Sequence, residues 1–471
     1  MLDAATTGAT LLAPQPALLP RPPLGRDRTQ LEAFLVLRRN PLELWGPAAY
    51  ERDVLEGRFL GRAQMLLNDP EAIRHVLVAN HENYRRNDAT GRVLRPVLGE
   101  GLFLAEGEAW KRSRRTVAPA LAPRAMPLLA RHVVACCEAE EAALGAAVDS
   151  GRPVELARHL QRLALEVAGR SMFSVETARF GGPLRAMLER YGRGLARPGL
   201  LDLVLPGGWR SPLDRARDGF RRDWLRLMDG IIAAREARGP TPDGEPRDLF
   251  DLLAAARDPE TGEGFTRAQL RDEVATLILA GHETTAVALF WSLLAASRMP
   301  EQQEALAEEA RAADLSPEGA ARAVAASLPR TRAHLDEALR LYPPAFLVVR
   351  EAVGPDVVAG RRVAPGTVVS VSPWVLHRHR ALWRDPEAFD PARFLPGAPK
   401  PARYAYLPFG TGPRVCVGAQ FAVTEAVVVL ARLLRAYRVV PFGGEGVRPV
   451  GMVTTQPDRP VRFLLERRRA A

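Results

Sequence analysis

Three cysteines in 471 residues, Cys136, Cys137 and Cys416, are too few for a disulfide framework, and no CxxC spacing offers a zinc site. A reduced, cytoplasmic setting is expected. Lysine is nearly absent: Lys111 and Lys400 stand against 63 arginines. The basic excess, 65 against 55 acidic residues for a net charge of +10, is scattered through amphipathic stretches. Nucleic-acid binding would gather it in one stripe interleaved with aromatics, and aromatics are only 6% of the chain. The run from Arg467 to Arg469 reads as a solvated tail. Uninterrupted apolar segments are also scarce. From Leu11 to Leu24 the chain is broken by Pro14, Pro16, Pro20, Pro22 and Pro23, so neither an anchor nor a signal peptide is expected. Val274 to Ala296 is long enough to span a bilayer, but it places Glu283 at its centre, where a carboxylate is expensive in lipid. A buried helix is the better reading, with no membrane span.

What is present is ordinary for a folded enzyme: 47% hydrophobic and 25% charged residues, with chain enough to enclose a bulky cofactor. Weak alternation over 58–67 predicts short strands. Asp69-Pro70-Glu71 combines an N-cap, a proline at the first helical position and an early acid, so a helix begins there. Apolar spacings of three and four run from about 124 to 237, followed by a Pro/Gly/Asp loop at 239–247. A long helix over about 266–298, a helix from Pro300 and another ending before Pro343-Pro344 come next. Strand signals gather over 346–371, a turn-rich stretch covers 376–415, and a last helix over about 417–437 precedes a β-like tail. The expected class is mainly α with small β-sheets (α+β). Residues 1–24 read as a proline-rich tail, and 25–471 as one domain with helix-rich and β-rich lobes.

The chemistry concentrates in Phe409-Gly-Thr-Gly-Pro-Arg-Val-Cys-Val-Gly418. A lone thiol sits in a glycine-rich loop just before an apolar helix, whose N–H groups and dipole favour a thiolate. Gly410, Gly412 and Gly418 suit close approach of backbone to a flat object, and Phe409 can shield the sulfur. One thiolate without companions is wrong for zinc or an iron–sulfur cluster and right for an axial haem ligand. In Ala280-Gly-His-Glu-Thr-Thr285, Thr284 can turn its hydroxyl onto the carbonyl of Ala280, and Glu283 supplies a titratable group for a proton relay.

These residues resemble the cytochrome P450 superfamily, bacterial soluble type, whose haem loop reads Phe-x-x-Gly-x-Arg-x-Cys-x-Gly. The resemblance runs from about residue 58 to 462 and implies the P450 fold, haem b as cofactor and Cys416 as axial iron ligand. It assigns Glu283 and Thr284 to oxygen activation and Trp110, Arg114, Arg350 and Arg414 to the haem propionates, with Phe409, Gly410 and Gly418 around the cofactor. Glu337 and Arg340, 79 residues upstream of the cysteine, match the family's Glu-x-x-Arg pair. Arg393 is expected to join them in a buried network. By family position Phe103, Leu277, Ala280, Thr285, Phe346, Leu347 and Val453 line the substrate pocket, and 175–245 carry a mobile lid.

The implied activity is monooxygenation of an apolar substrate, a fatty acid or another lipid-like or terpenoid molecule, by a monomer. Electrons come from a ferredoxin- or flavodoxin-type partner with its reductase, because the chain has no flavin or NAD fingerprint. Arg112, Arg115 and Arg403 are expected at the docking face. A peroxide-driven hydroxylase would lack the acid–alcohol pair, and a non-catalytic haem-binding sensor would need no relay.

Overall fold

The computed structural model describes residues 19–26, 28–174, 180–205, 209–239, 241, 244–443 and 446–468. Most of the expected tail, parts of the expected lid and Arg469 lie outside these residues. The chain opens with α1 (Gln30–Arg39), then the hairpin β1 (Val54–Phe59) and β2 (Arg62–Leu67). In α2 (Pro70–Arg74) the Asp69 side chain caps the Ala72 N–H, as the local sequence predicts. After β3 (Tyr84–Arg85) come α3 (Asp88–Leu98), α4 (Gly107–Val117), α5 (Met126–Asp149), α6 (Leu156–Phe173), α7 (Gly181–Arg190), α8 (Leu200–Val204), α9 (Pro212–Glu236) and α10 (Leu249–Ala255).

The long helix is α11 (Arg267–Ser297). It starts at a capping box: Gln269 N–H donates to Thr266 Oγ1 (3.3 Å) and Thr266 N–H to Gln269 Oε1 (2.9 Å). Then follow α12 (Pro300–Ala312), α13 (Ala320–Ala326) and α14 (Pro329–Leu341). The strands β4 (Val348–Ala352), β5 (Asp356–Val358), β6 (Arg361–Val363) and β7 (Val368–Val371) lead to α15 (Pro373–Leu376). After the turn-rich stretch, α16 (Ala419–Ala436) runs into β8 (Tyr437–Phe442), β9 (Pro449–Gly451), β10 (Thr455–Pro457) and β11 (Arg462–Arg467).

The main sheet has the order β1-β2-β7-β4-β3, with β2 and β7 parallel and the other pairs antiparallel. It joins strands about 300 residues apart in sequence (Gln64 opposite Val368), so the helical and strand-rich parts depend on each other. The core gathers around α11, packed against α6, α14 and α16. Leu160, Leu163, Ala164 and Val167 of α6 and Val423, Ala426, Val427 and Leu430 of α16 are all buried there with Ala286 to Ala295 of α11. Trp291 stacks on Tyr342 (4.1 Å, 5° between planes) and donates to the Thr455 carbonyl (2.7 Å). A fully buried tryptophan removes on the order of 200 Å² from water, or about 5 kcal/mol by area. Of the most apolar window of α11, 61% is buried inside the protein, so this is the core helix that the sequence suggested.

Two contacts add to the expected picture of the chain ends. Arg467 ends β11 and pairs with Asp149 (2.9 Å), while Arg468 pairs with Glu304, so the described part of the arginine run is bonded rather than a loose tail. Residues of the expected tail also rest on the body: the Tyr342 hydroxyl donates to the Pro20 carbonyl (2.8 Å).

Candidate active site

A cavity of about 440 Å³ lies between α11, the Cys416 loop, the 99–106 loop and β4. Its wall includes Phe103, Trp110, Arg114, Leu277, Ala280, Thr284, Thr285, Leu347, Arg350, Phe409, Gly410, Arg414, Cys416 and Gly418. Two features of exposure mark the opposing walls. Ala280, in the middle of the core helix, and Cys416, in a loop enclosed by other atoms, are both exposed. Each lines the cavity, so the surface they expose faces that interior and not bulk water.

The cysteine loop is held by its backbone and its neighbours. Cys416 N–H donates to the Phe409 carbonyl (2.9 Å), and Arg114 Nη1 donates to the Val415 carbonyl (2.7 Å). Gly412 has φ of +71°, and a Cβ there would sit 2.2 Å from the Leu77 carbonyl oxygen, so no other residue fits. Burial pushes the Cys416 thiol up, while the Gly418 N–H and the Arg114 charge pull it down. Cys136 has the Arg170 charge near it and Cys137 the Arg432 charge, but burial outweighs both. Burial raises both, Cys136 to about 12, and they are inert core thiols.

Beneath the loop Arg340 makes a bidentate pair with Glu337 (both 2.7 Å) and donates to the carbonyls of His377, Pro386 and Ala388. Glu337 also accepts from the Asp390 N–H (2.7 Å). Arg393 Nε stays 3.6 Å from Glu337, a looser ion pair than the expected bidentate network, and its Nη2 donates to the Asp385 carbonyl (3.0 Å). His377, which the sequence reading missed, completes the support: its Nε2 accepts from the Leu407 N–H (2.8 Å), so its Nδ1 donates to the Arg340 carbonyl (3.1 Å). Burial and the adjacent Arg340 charge push His377 down to about 3, so it is neutral.

At one end of the cavity three guanidiniums converge. Arg414 stacks over Trp110 (4.4 Å) and pairs with Glu106, and Arg86, also missed, stacks over Phe103 (4.8 Å) and lies 3.3 Å from Glu106. Burial and the neighbouring arginines push Arg350 down to about 9 and Arg414 to about 10. Glu106 is the carboxylate that offsets them. This end is therefore short of negative charge, and two propionates would supply it. A buried thiol opposite an apolar helix face, with a cationic rim to one side, fits haem in both chemistry and charge. Arg114 is the exception among the expected propionate residues, because its visible role is to hold the cysteine loop.

On the α11 wall, Thr284 Oγ1 donates to the Ala280 carbonyl (2.7 Å), as the local motif predicts, within a helix that continues unbroken. Thr285 Oγ1, Ser171 Oγ and Glu425 Oε1 are buried and have no protein partner, and all three residues line the cavity. Burial alone pushes the Glu425 carboxyl well up, so it is held neutral. Three expected residues are not on the wall. Glu283 turns to the β9–β10 turn, accepting from Thr454 Oγ1 (2.9 Å) and Gln456 Nε2 (2.6 Å). Phe346 is buried in the core, where a Cβ on Gly451 would approach its ring to 3.0 Å, and Val453 is 40% exposed beside β9. Family position locates these segments, but the twist of the turn decides which side chains face inward.

The cytochrome P450 family model matches residues 51–461. The chain belongs to the cytochrome P450 family. It is a haem-thiolate monooxygenase with haem b as cofactor. "Cyclooctatin synthase" of Streptomyces melanosporofaciens is 33% identical over 432 residues, covering 88% of this P450 and 89% of the relative. "Cyclooctat-9-en-7-ol 5-monooxygenase" of the same organism is 31% identical, covering 87% of each chain. Crystal structures of a cytochrome P450 (CYP102L1) and of the cytochrome P450DA heme domain superpose with TM-scores of 0.75 at 23% and 24% identity. They cover 89% and 88% of this P450, and 96% and 90% of their own chains, and share its fold.

Proposed function

We propose that this P450 oxygenates an unsaturated or hydroxylated ring hydrocarbon, drawing electrons from a ferredoxin- or flavodoxin-type partner. The carrying observation is a cavity whose wall beyond the cationic rim is mostly apolar, with Leu102, Phe103, Leu277, Ala280, Ala345 and Leu347. Such a wall binds by burial and rejects charge. The relative named for oxygenation of cyclooctat-9-en-7-ol, a ring alcohol, supports a cyclic substrate over the straight-chain fatty acid that motif analogy suggests.

When bound, the haem supplies the iron at which O2 is reduced. Cys416 would hold it from one side, and Trp110, Arg350, Arg414 and Arg86 would hold its propionates. Thr284, its proton engaged with the Ala280 carbonyl, keeps its lone pairs available to a water in the cavity and is the proposed relay hydroxyl. Glu283 is the adjacent carboxylate proposed for the same relay, and it would have to leave Thr454 and Gln456 to take part. We assign the partner to the cysteine-side face and the protein to the cytoplasm. Arg112 and Arg115 are engaged with the 258–264 loop, at Gly264 and Glu263 and at Asp258 and Glu260, whereas Arg403 is exposed over Tyr404. Charge reversal at Arg403 is thus expected to slow reduction several-fold.

The test is a visible-spectrum titration of the purified protein with ring alcohols and with straight-chain fatty acids, followed by product analysis with a ferredoxin system. Ring compounds should displace the sixth ligand and gain one oxygen. A response confined to fatty acids would overturn the ring assignment.

A further inference from the structure

We infer that Asp272 and Glu273 of α11 form a paired latch that positions the 99–104 loop, and through it Phe103, so that these carboxylates help decide which substrates fit. Three bonds tie the loop and α4 to this one turn of helix. Glu100 N–H donates to Asp272 Oδ2 (2.9 Å), Leu102 N–H donates to Glu273 Oε2 (3.0 Å), and Ser113 Oγ of α4 donates to Glu273 Oε1. Thr276, one turn on, donates to the Asp272 carbonyl (2.8 Å) and lies 3.5 Å from the Leu98 carbonyl.

The loop is glycine-built to come this close. Gly99 has φ of +59°, and a Cβ there would lie 2.1 Å from Asp272 Oδ2; at Gly101 it would lie 2.3 Å from Thr276 Oγ1. The two latched amides lie just before Phe103 in the chain; Leu102, Phe103 and Thr276 all line the cavity, and Phe103 is 41% exposed beneath Arg86.

Glu273 is 2% exposed and has no cation against it among the described residues. A buried carboxylate without a counter-charge is costly. An apolar residue would stabilise that turn of α11 more, and the carboxylate's return is the fixed loop. Burial, with the adjacent Asp272 charge, pushes Glu273 up to about 7. Of the other charges nearby, Arg271 (4.0 Å) and Arg221 face Asp272, and the rest are engaged elsewhere. Arg221 of α9 lies 3.9 Å from Asp272, Arg95 of α3 pairs with Glu100, and Arg112 of α4 is turned to Gly264 and Glu263. Ionised, Glu273 accepts from both donors; protonated, one oxygen must donate and Ser113 must turn its hydrogen away. The hold on the loop therefore changes near neutrality.

The experiment reads amide hydrogen exchange over 99–104 in the haem-loaded protein, together with spectral titration of one ring alcohol and one longer ligand between about pH 6 and 8. Glu273→Ala is expected to speed exchange of this segment about tenfold, the loss of one hydrogen bond to a charged acceptor. Glu273→Gln, which can still accept from Leu102, should restore protection and remove the pH dependence of ligand affinity. Asp272→Asn should loosen Glu100 to a smaller degree and provides the reading if Glu273→Ala does not fold. Wild-type exchange in both Glu273→Ala and Asp272→Asn, or in Asp272→Asn alone where Glu273→Ala does not fold, would overturn the latch. Faster exchange with an unchanged ranking of the two ligands would overturn its role in specificity. Selectivity rests on the proposed function; exchange does not, so failure of one is distinguishable from failure of the other.

Discussion

The support behind the cysteine loop and the lining of the cavity are built on opposite principles. Behind the cysteine loop most polar groups are matched inside the protein, Arg393 Nε and His334 Nδ1 excepted: Arg340 with Glu337 and three carbonyls, His377 with Leu407 and Arg340, Arg114 with Val415. Around the cavity lining, Thr285 of α11, Ser171 of α6 and Glu425 of α16 each keep a buried polar atom with no partner among the described residues. Buried polar groups are normally bonded, so unmatched ones mark places where water or ligand completes the set. The difference teaches a division of labour: the support is bonded so that a cofactor stays in place, and the lining keeps polar capacity for what comes and goes.

Mutations can break that comparison, the largest first. Cys416→Ser should abolish turnover and the red-shifted absorption of the ferrous carbon monoxide complex; an unchanged spectrum would show that the cysteine loop does not hold the iron. Glu337→Ala leaves Arg340 buried and unpaired and should destabilise the protein by about 3–5 kcal/mol in denaturant titration, with loss of haem. The same support predicts acid sensitivity. His377 and His334 are held down to about 3 and about 4 by burial, below the ordinary histidine value of about 6.5. Each must stay neutral to remain folded, so stability is complete above about pH 6.5 and falls as pH drops towards 4, by roughly 1.4 kcal/mol per unit per group. A pH-independent melting temperature over that window would contradict the matched network.

The cavity lining should respond differently. Thr284→Ala should leave folding and the carbon monoxide spectrum intact while product formation falls by about 10²-fold and reductant is diverted to peroxide. Full product yield per reductant would remove the relay. Thr285→Val, nearly isosteric, should change stability by no more than about 1 kcal/mol, since its hydroxyl has no protein partner to lose. A loss of several kcal/mol would mean that this hydroxyl is matched after all.

Legibility followed contiguity. The Cys416 loop, Thr284 against Ala280 and the Glu337–Arg340 pair are local in sequence, three or four residues apart or within one loop, so spacing alone carries their geometry. Arg393 was placed by family position, and its ion pair is looser than expected. Phe346 and Val453 were misplaced because inward and outward faces in an irregular turn are set by its packing on Gly451 and Asn40. Arg86, His377, Glu273 and Glu425 were missed for a related reason: each acts on partners or a cavity that the chain reaches only after long excursions.

From the sequence by itself came the helix-dominated class, the cap of α2, the thiol with its glycine loop, and the hydroxyl that bonds one turn back. All of these are local preferences of backbone and side chain. Only the tertiary structure decided that three arginines share one carboxylate, that Glu283 faces a strand turn, and that two acids on α11 grip the loop beneath Phe103. Charge balance, burial and shared hydrogen bonds are properties of a neighbourhood, and a neighbourhood assembled from residues hundreds of positions apart exists only once the chain has folded.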